Sequence, residues 1–175
     1  MPLGNLTSQF FANVYLNELD YFIKFKLCTK YYIRYVDDFV ILSRERSELE
    51  SVKQKINLFL CQHLALELHP TKTKIIPLSQ GVNFLGFRIF QQHKLLRKSN
   101  LWRLKKKPLI LKQQFDEQHL NYDNVYDSML GSIAYARQAD TYKLRKRLEV
   151  QYEQLFANQI PTVEINRLAR EQKKK

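Results

Sequence analysis

Two adjacent carboxylates interrupt the most strongly strand-forming run of this chain. Tyr31-Tyr32-Ile33-Arg34-Tyr35 leads into Val36-Asp37-Asp38, and Phe39-Val40-Ile41-Leu42 follows. β-Branched and aromatic residues favour a pleated, half-buried surface, so both flanks read as strands. An unpaired carboxylate pair inside such a strand would be penalised by desolvation and mutual repulsion. The turn of a hairpin avoids that penalty, with at least one carboxylate directed at a divalent cation. Hard carboxylate oxygens suit Mg²⁺, which keeps some of its waters and takes further ligands from phosphates. A polar turn that merely joins two strands is the other reading of the dipeptide taken alone.

The elements on either side narrow the choice. Pro2-Leu3-Gly4-Asn5 reads as a tight loop entering a helix that Thr7 or Ser8 can cap. Phe10, Val14, Phe11, Tyr15, Leu19, Phe22 and Ile23 recur at three- and four-residue steps, which predicts an amphipathic helix ending near Lys26. A Pro-Gly loop placed so close to a core predicts a chain that starts inside a domain. Ser47-Glu48-Leu49-Glu50 matches a capping box and opens a second helix with Leu49, Val52, Ile56, Phe59 and Leu60 on its buried stripe. Leu64, Leu66 and Leu68 alternate with polar or small residues as in a strand. A turn at Pro70 precedes another short strand at Ile75-Ile76. Gly81 to Phe90 reads as two short strands broken at Gly86, where glycine permits a close backbone approach.

Beyond residue 97 the strands stop and charge accumulates. The chain carries 29 Lys+Arg against 17 Asp+Glu, a net of +12. Residues 97–147 hold twelve of the basic residues and five acids, so more than half of the excess lies there. Helices are expected at about 99–118, with a break or kink at Pro108, and at about 122–138 and 140–157. Such a balance points to a polyanionic partner. A solvated helical face is the plain alternative, but Trp102 and several tyrosines interleave the charges, as suits a nucleic-acid cradle. No apolar run reaches membrane-spanning length and no segment reads as a signal peptide, so no membrane partner is expected. Cys28 and Cys61 lack metal-ligand spacing, consistent with a reducing, cytoplasmic setting. The four histidines form no ligand pattern.

The order of these elements resembles the reverse transcriptases of bacteria and mobile elements, from mid-palm through the thumb. Pro2-Leu3-Gly4 with Ser8-Gln9, and the helix through Asn13, Leu16 and Leu19-Asp20, is similar to the segment after the fingers. Tyr35-Val36-Asp37-Asp38 resembles the catalytic hairpin. Leu66-Glu67-Leu68 with Lys72-Thr73-Lys74-Ile75 resembles the following lysine-bearing motif, and Phe84-Leu85-Gly86-Phe87 the primer grip. These matches run in order from residue 2 to about 90. The leucine before the loop glycine and the Ser8-Gln9 ending look most like the diversity-generating retroelement enzymes. Leu130-Gly131-Ser132 and Asp140-Thr141-Tyr142 resemble the thumb of that subgroup.

The resemblance implies an α+β fold. Residues 1–96 would be a partial palm, ferredoxin-like, with an antiparallel sheet covered by helices on one face, lacking the fingers and the first catalytic strand. Residues 97–160 would be an all-helical thumb and 161–175 a flexible basic tail. The implied activity is RNA-directed DNA polymerisation with Mg²⁺ held by Asp37, the principal ligand, and Asp38, the weaker one. Lys72 would meet the leaving pyrophosphate, with Lys74 as second choice. Leu3, Gly4, Ser8, Gln9 and Tyr35 would line the nucleotide and primer end. Phe84, Leu85 and Gly86 would form the primer grip, with core packing an equal role for the first two. Lys98, Arg103, Lys105, Lys106 and Lys107 would meet nucleic-acid phosphates, contacts that carry no sequence information. Partners would be an RNA template, a DNA or RNA primer, deoxynucleoside triphosphates and an accessory protein. The family uses a third carboxylate on an earlier strand, so this chain alone is not expected to extend a primer. The rival expectation is a non-catalytic basic nucleic-acid-binding accessory protein, or one half of a split polymerase.

Overall fold

The computed structural model describes residues 6–172. Contacts divide the chain into two compact units, Met1–Pro77 and Leu78–Lys175. Each combines helices with one small antiparallel sheet, so the fold is α+β as the sequence predicts.

In the first unit, helix α1 (Leu6–Tyr21) passes into a π-helical turn, Phe22–Lys26. Thr7 and Ser8 lie within its first turn rather than before it. Strands β1 (Tyr31–Tyr35) and β2 (Asp38–Leu42) pair antiparallel in a register from Tyr31↔Leu42 to Tyr35↔Asp38. Helix α2 (Arg46–Leu64) follows. Leu19, Ile23, Ile56, Leu60 and Leu64 form the buried core, covered by Tyr32, Phe39 and Ile41 from one face of the hairpin. The pleat sends the alternate residues Tyr31, Ile33, Tyr35 and Leu42 outward, where they are exposed.

Two local expectations fail in this unit. Helix α2 starts at Arg46, with Glu45 as its N-cap and no side-chain cap, so Ser47 sits inside the helix and the capping box does not form. Ser43 serves the entry instead. Its hydroxyl accepts the Glu45 amide at 3.2 Å and bonds the Glu48 carboxylate. The alternating leucines and the Ile75-Ile76 segment form no strand. Ala65 ends α2 in the left-handed region at φ +47°, and the Leu66 amide returns to the Leu60 carbonyl at 3.1 Å. The Leu68 amide donates to the Asn57 side chain at 3.1 Å and that of Thr73 to the His69 carbonyl at 3.1 Å. These amides are taken up locally, leaving none of them for a ladder.

The second unit opens with a short 3₁₀ turn, Leu78–Gln80. Strands β3 (Val82–Phe84), β4 (Phe87–Ile89) and β5 (Lys94–Leu96) form a meander. The break at Gly86 is where the sequence places it, whereas β5 is an addition to the expected pair. Helices α3 (Lys98–Asp116), α4 (Tyr122–Arg137), α5 (Tyr142–Leu155) and α6 (Thr162–Gln172) complete the unit. Leu96 and Phe87 of the sheet pack with Leu104, Tyr135 and Ala136 of the helices, so the sheet shares the helices' core. A second cluster unites Leu111, Val125, Tyr152 and Phe156.

Of the break or kink expected at Pro108, the break does not occur, and α3 continues through that residue. Proline forfeits one helical hydrogen bond. Its ring is fully buried here, and that apolar burial offsets the loss. Of the stretch expected to be a flexible tail, residues 173–175 lie outside the described residues and Thr162–Gln172 forms α6. Its start is tied to α4, where Asp123 accepts both the Thr162 amide and the Thr162 hydroxyl at 2.7 Å. Those bonds hold the Asp123 carboxyl below the usual range.

Candidate catalytic hairpin and nucleic-acid interface

The hairpin closes through a two-residue loop, Val36-Asp37, with Asp38 paired opposite Tyr35. Tight hairpin turns take a positive φ at their first central residue because only that sense matches the strand twist. Val36 holds φ +55°. A β-branched residue pays about 1–3 kcal/mol for that region, a cost tolerated only where the surroundings enforce it. Arg34 bonds this turn to α1. Its Nη1 donates to the Val36 carbonyl at 2.6 Å and to Asn13 Oδ1 at 3.0 Å. Its Nε and Nη2 grip both oxygens of Asp20 on α1, at 2.8 and 2.5 Å. The Tyr32 hydroxyl donates to the same carboxylate at 2.5 Å.

This network is partly shielded, with the Arg34 side chain 10% and the Asp20 side chain 27% exposed. Burial raises the Asp20 carboxyl, but the hydrogen bonds from Arg34 and Tyr32 and the nearby cations outweigh it, leaving it below the usual range. Burial and the Asp20 carboxylate both push the Tyr32 hydroxyl up. Hydrogen bonding to Asp20 raises Arg34 despite burial. The turn is therefore fastened to α1 through the Arg34–Asp20 ion pair.

Asp37 and Asp38 are both exposed, and among the described residues neither carboxylate has a hydrogen-bond or ion-pair partner. Two free, adjacent hard-oxygen donors fit a divalent cation such as Mg²⁺ as part of a ligand set. No group of three His, Cys, Asp or Glu residues that could hold a metal exists among the described residues, so this pair is not a complete set. Tyr35 stands 59% exposed on the outer face beside the turn. Lys72 lies exposed in the turn after Pro70 and Lys74 exposed in the extended segment beyond it. Neither forms an ion pair with Asp37 or Asp38. Ser8 is half-buried in the first turn of α1 and Gln9 exposed there, while Leu3 and Gly4 lie outside the described residues.

The Gly86 turn is held as firmly within its own unit. Leu85 and Gly86 both have positive φ, +50° and +83°, as a type I′ hairpin requires. The Gly86 carbonyl accepts from the Arg97 amide at 3.0 Å, Asn100 Nδ2 at 3.2 Å and the Tyr135 hydroxyl at 3.4 Å. Asn100 also donates to the Tyr135 hydroxyl at 2.7 Å. A Cβ on Gly86 would sit 2.6 Å from Asn100 Nδ2 and 2.8 Å from that hydroxyl. Phe84 is half-buried, whereas Leu85 at the tip is 47% exposed.

Both hairpins fall within residues 1–89, the segment matched by the family described as reverse transcriptase (RNA-dependent DNA polymerase). The chain belongs to the reverse transcriptase family. It is also similar to the group II intron-encoded protein LtrA of Lactococcus lactis subsp. cremoris, at 37% identity over 59 residues. The same protein from strain MG1363 matches equally. That alignment covers 33% of this chain and 10% of the relative, so the chain spans about a tenth of the curated relatives it matches.

In this reverse transcriptase chain the basic helix α3 lies beyond the matched segment. Lys98, Trp102, Lys105, Lys106 and Leu109 recur at three- and four-residue steps and therefore share one face. Trp102 is 58% exposed with the Lys106 ammonium 4.0 Å from its ring centroid. Arg103 is also exposed. Lys107 departs from its expected role. Its ammonium turns onto α4, donating to the Ser128 carbonyl at 3.2 Å and the Ser132 hydroxyl at 3.0 Å.

Sequence reasoning missed the roles of Arg34, Tyr32, Asn100 and Tyr135. A signal for the first existed. Arg34 shares a strand face with Tyr32, which faces the core, and an inward charge demands a counter-charge. Asn100 and Tyr135 are 35 residues apart and carry no local signal.

Proposed function

We propose that this chain is the part of an RNA-directed DNA polymerase that carries its Asp-Asp hairpin, its primer grip and its duplex-holding helices. The observation that carries the reading is the pair Asp37-Asp38, exposed and without partners among the described residues, at a strained turn tied to α1 by a partly buried ion pair. A turn needed only to reverse the chain has no use for that arrangement. Residues 1–96 would act as palm and 97–160 as thumb.

Asp37 would be the principal ligand and Asp38 the weaker one, completed by a third carboxylate from elsewhere in the enzyme. When bound, Mg²⁺ would supply charge neutralisation at the attacking 3′-oxygen and the leaving group. Tyr35 would pack against the primer end. Lys72 would neutralise the departing pyrophosphate, with Lys74 second. Leu3, Gly4, Ser8 and Gln9 would border the incoming deoxynucleoside triphosphate. Leu85 would present its exposed side chain at the tip of the Phe84-Leu85-Gly86 grip. Lys98, Arg103, Lys105 and Lys106 would meet the phosphates of an RNA template paired with its DNA or RNA primer, with Trp102 beside them. The sequence pattern supports the diversity-generating subgroup and a cytoplasmic setting, and an accessory protein would be a further partner by the same resemblance. No helix among the described residues is long and apolar enough to cross a membrane.

The test is RNA-templated primer extension by residues 1–175 joined to a fingers and first-strand segment. Asp37→Ala should abolish synthesis with the fold intact by circular dichroism. Undiminished synthesis would leave the hairpin a plain turn, and duplex binding without synthesis by the unaltered enzyme would favour a non-catalytic binding protein. In the same assay Leu3→Gln should lower misincorporation, most at template adenines. Equal error spectra would remove the subgroup assignment.

A further inference from the structure

We infer that Arg34 is a positioning residue for the Asp37-Asp38 carboxylates, acting through the Val36 carbonyl. The inference rests on the metal-binding reading of that pair. A peptide group is planar, so fixing the Val36 carbonyl also fixes the Asp37 amide in the same plane and hence the point from which the Asp37 side chain departs. Arg34 Nη1 holds that carbonyl at 2.6 Å. The guanidinium is itself immobilised, because Asp20 takes two of its N–H groups and Asn13 a third. Helix α1 supplies both partners, so the hairpin tip is referenced to a rigid element by one side chain. Val36 at φ +55° gives the brace its purpose, since a valine released from it would relax towards negative φ and rotate that peptide plane.

Arginine suits the task in a way lysine does not. Its planar fork reaches the carboxylate and the carbonyl at once, whereas a single ammonium on a flexible stem satisfies one well. Glycine at 36 would adopt positive φ without help and make the brace dispensable.

The experiment uses the isotopically labelled 175-residue chain. The backbone coupling constant and carbon shifts of Val36 report its φ. Broadening of the Asp37 and Asp38 amide signals by Mn²⁺ reports cation affinity. Arg34→Lys should move Val36 out of positive φ and weaken Mn²⁺ binding by about threefold or more, the size of one lost hydrogen bond. In a Val36→Gly background the same change should leave Mn²⁺ affinity within experimental error. Asp20→Asn, which loosens the guanidinium and spares Arg34, should shift Val36 in the same direction by less, and it decides the matter if Arg34→Lys does not fold. A lower melting temperature with Val36 φ and Mn²⁺ affinity both unchanged would overturn the inference, leaving Arg34 a structural ion pair. If Mn²⁺ broadens neither amide in the unaltered chain, the metal reading of Asp37-Asp38 fails, while the Val36 readout still decides whether Arg34 sets the turn.

Discussion

Three neighbouring lysines on α3 have different duties. Lys107 is half-buried and bridges α3 to α4 through Ser128 and the buried Ser132, whereas Lys105 and Lys106 are exposed. Lys107→Ala should therefore destabilise the helical unit by about 1–3 kcal/mol, the loss of hydrogen bonds from a charged donor, while the Ser132 hydroxyl keeps its bond to the Ser128 carbonyl. Urea unfolding measures that loss. Replacing Lys105 and Lys106 together should leave the melting temperature unchanged and flatten the salt dependence of duplex binding. Each phosphate contact contributes about 0.9 to the slope of log affinity against log salt, so the pair should remove roughly 2. An unaltered slope would make both lysines a solvated face. Asp20 carries a pH dependence of determinate sign. Its folded carboxyl lies below the unfolded value of about 3.9, so the stabilisation is complete above that value and is lost as pH falls through the folded one. The urea midpoint of the first unit should fall between pH 6 and pH 3, and Asp20→Asn should shrink that fall. Equal acid limbs in the two proteins would show that the carboxylate carries no such linkage.

Among the elements, the β3–β4 hairpin depends on its turn more than on its three-residue strands. Gly86→Ala meets two obstacles, a φ of +83° and the Asn100 and Tyr135 polar atoms within 3 Å of the new methyl. Its cost should exceed the roughly 1 kcal/mol of the left-handed backbone alone. Pairing it with Asn100→Ala should recover only the steric share, which a double-mutant cycle by chemical denaturation separates. Elements governed by their own residues were legible from sequence. The periodic apolar stripes locate α1 and α2 to within a few residues, and Asp37 falls in the hairpin turn with Asp38 opening β2. Elements governed by remote partners were not. Leu64 to Leu68 alternates like a strand, yet the Asn57 side chain takes the Leu68 amide. Polar composition from Thr162 onwards suggests a loose tail, yet Asp123, 39 residues earlier, caps a helix there. The same division runs through the site. The carboxylates announce themselves by their neighbours, while the Arg34 brace on α1 depends on a contact made only in the fold.

At the scale of the whole molecule, charge divides unequally between the two units. Leu78–Lys175 holds 19 basic and 9 acidic residues, against 10 and 8 in Met1–Pro77. The first unit exposes Phe10, Phe11, Val14 and Tyr15 along α1 and Tyr31, Ile33 and Tyr35 along β1, apolar side chains of the kind that drive association when they are contiguous. A fragment of residues 78–175 should fold with a cooperative helical melt, since both of its clusters draw only on its own residues. It should also keep the duplex affinity of the full chain. Residues 1–77 alone should self-associate at micromolar concentration. Circular dichroism, filter binding and sedimentation check the three outcomes, and a fragment of 78–175 without a cooperative melt would refute the division. The three bonds on the Gly86 carbonyl bear on how members of the family exchange parts. Gene shuffling that joins the helices of one relative to the hairpins of another has a natural splice point near Leu78. A crossover at Arg97, where the strands end and the helices begin, would set a foreign Asn100 and Tyr135 position against the resident glycine turn. Viable natural or engineered hybrids should therefore inherit the β3–β5 meander and the helices from the same parent.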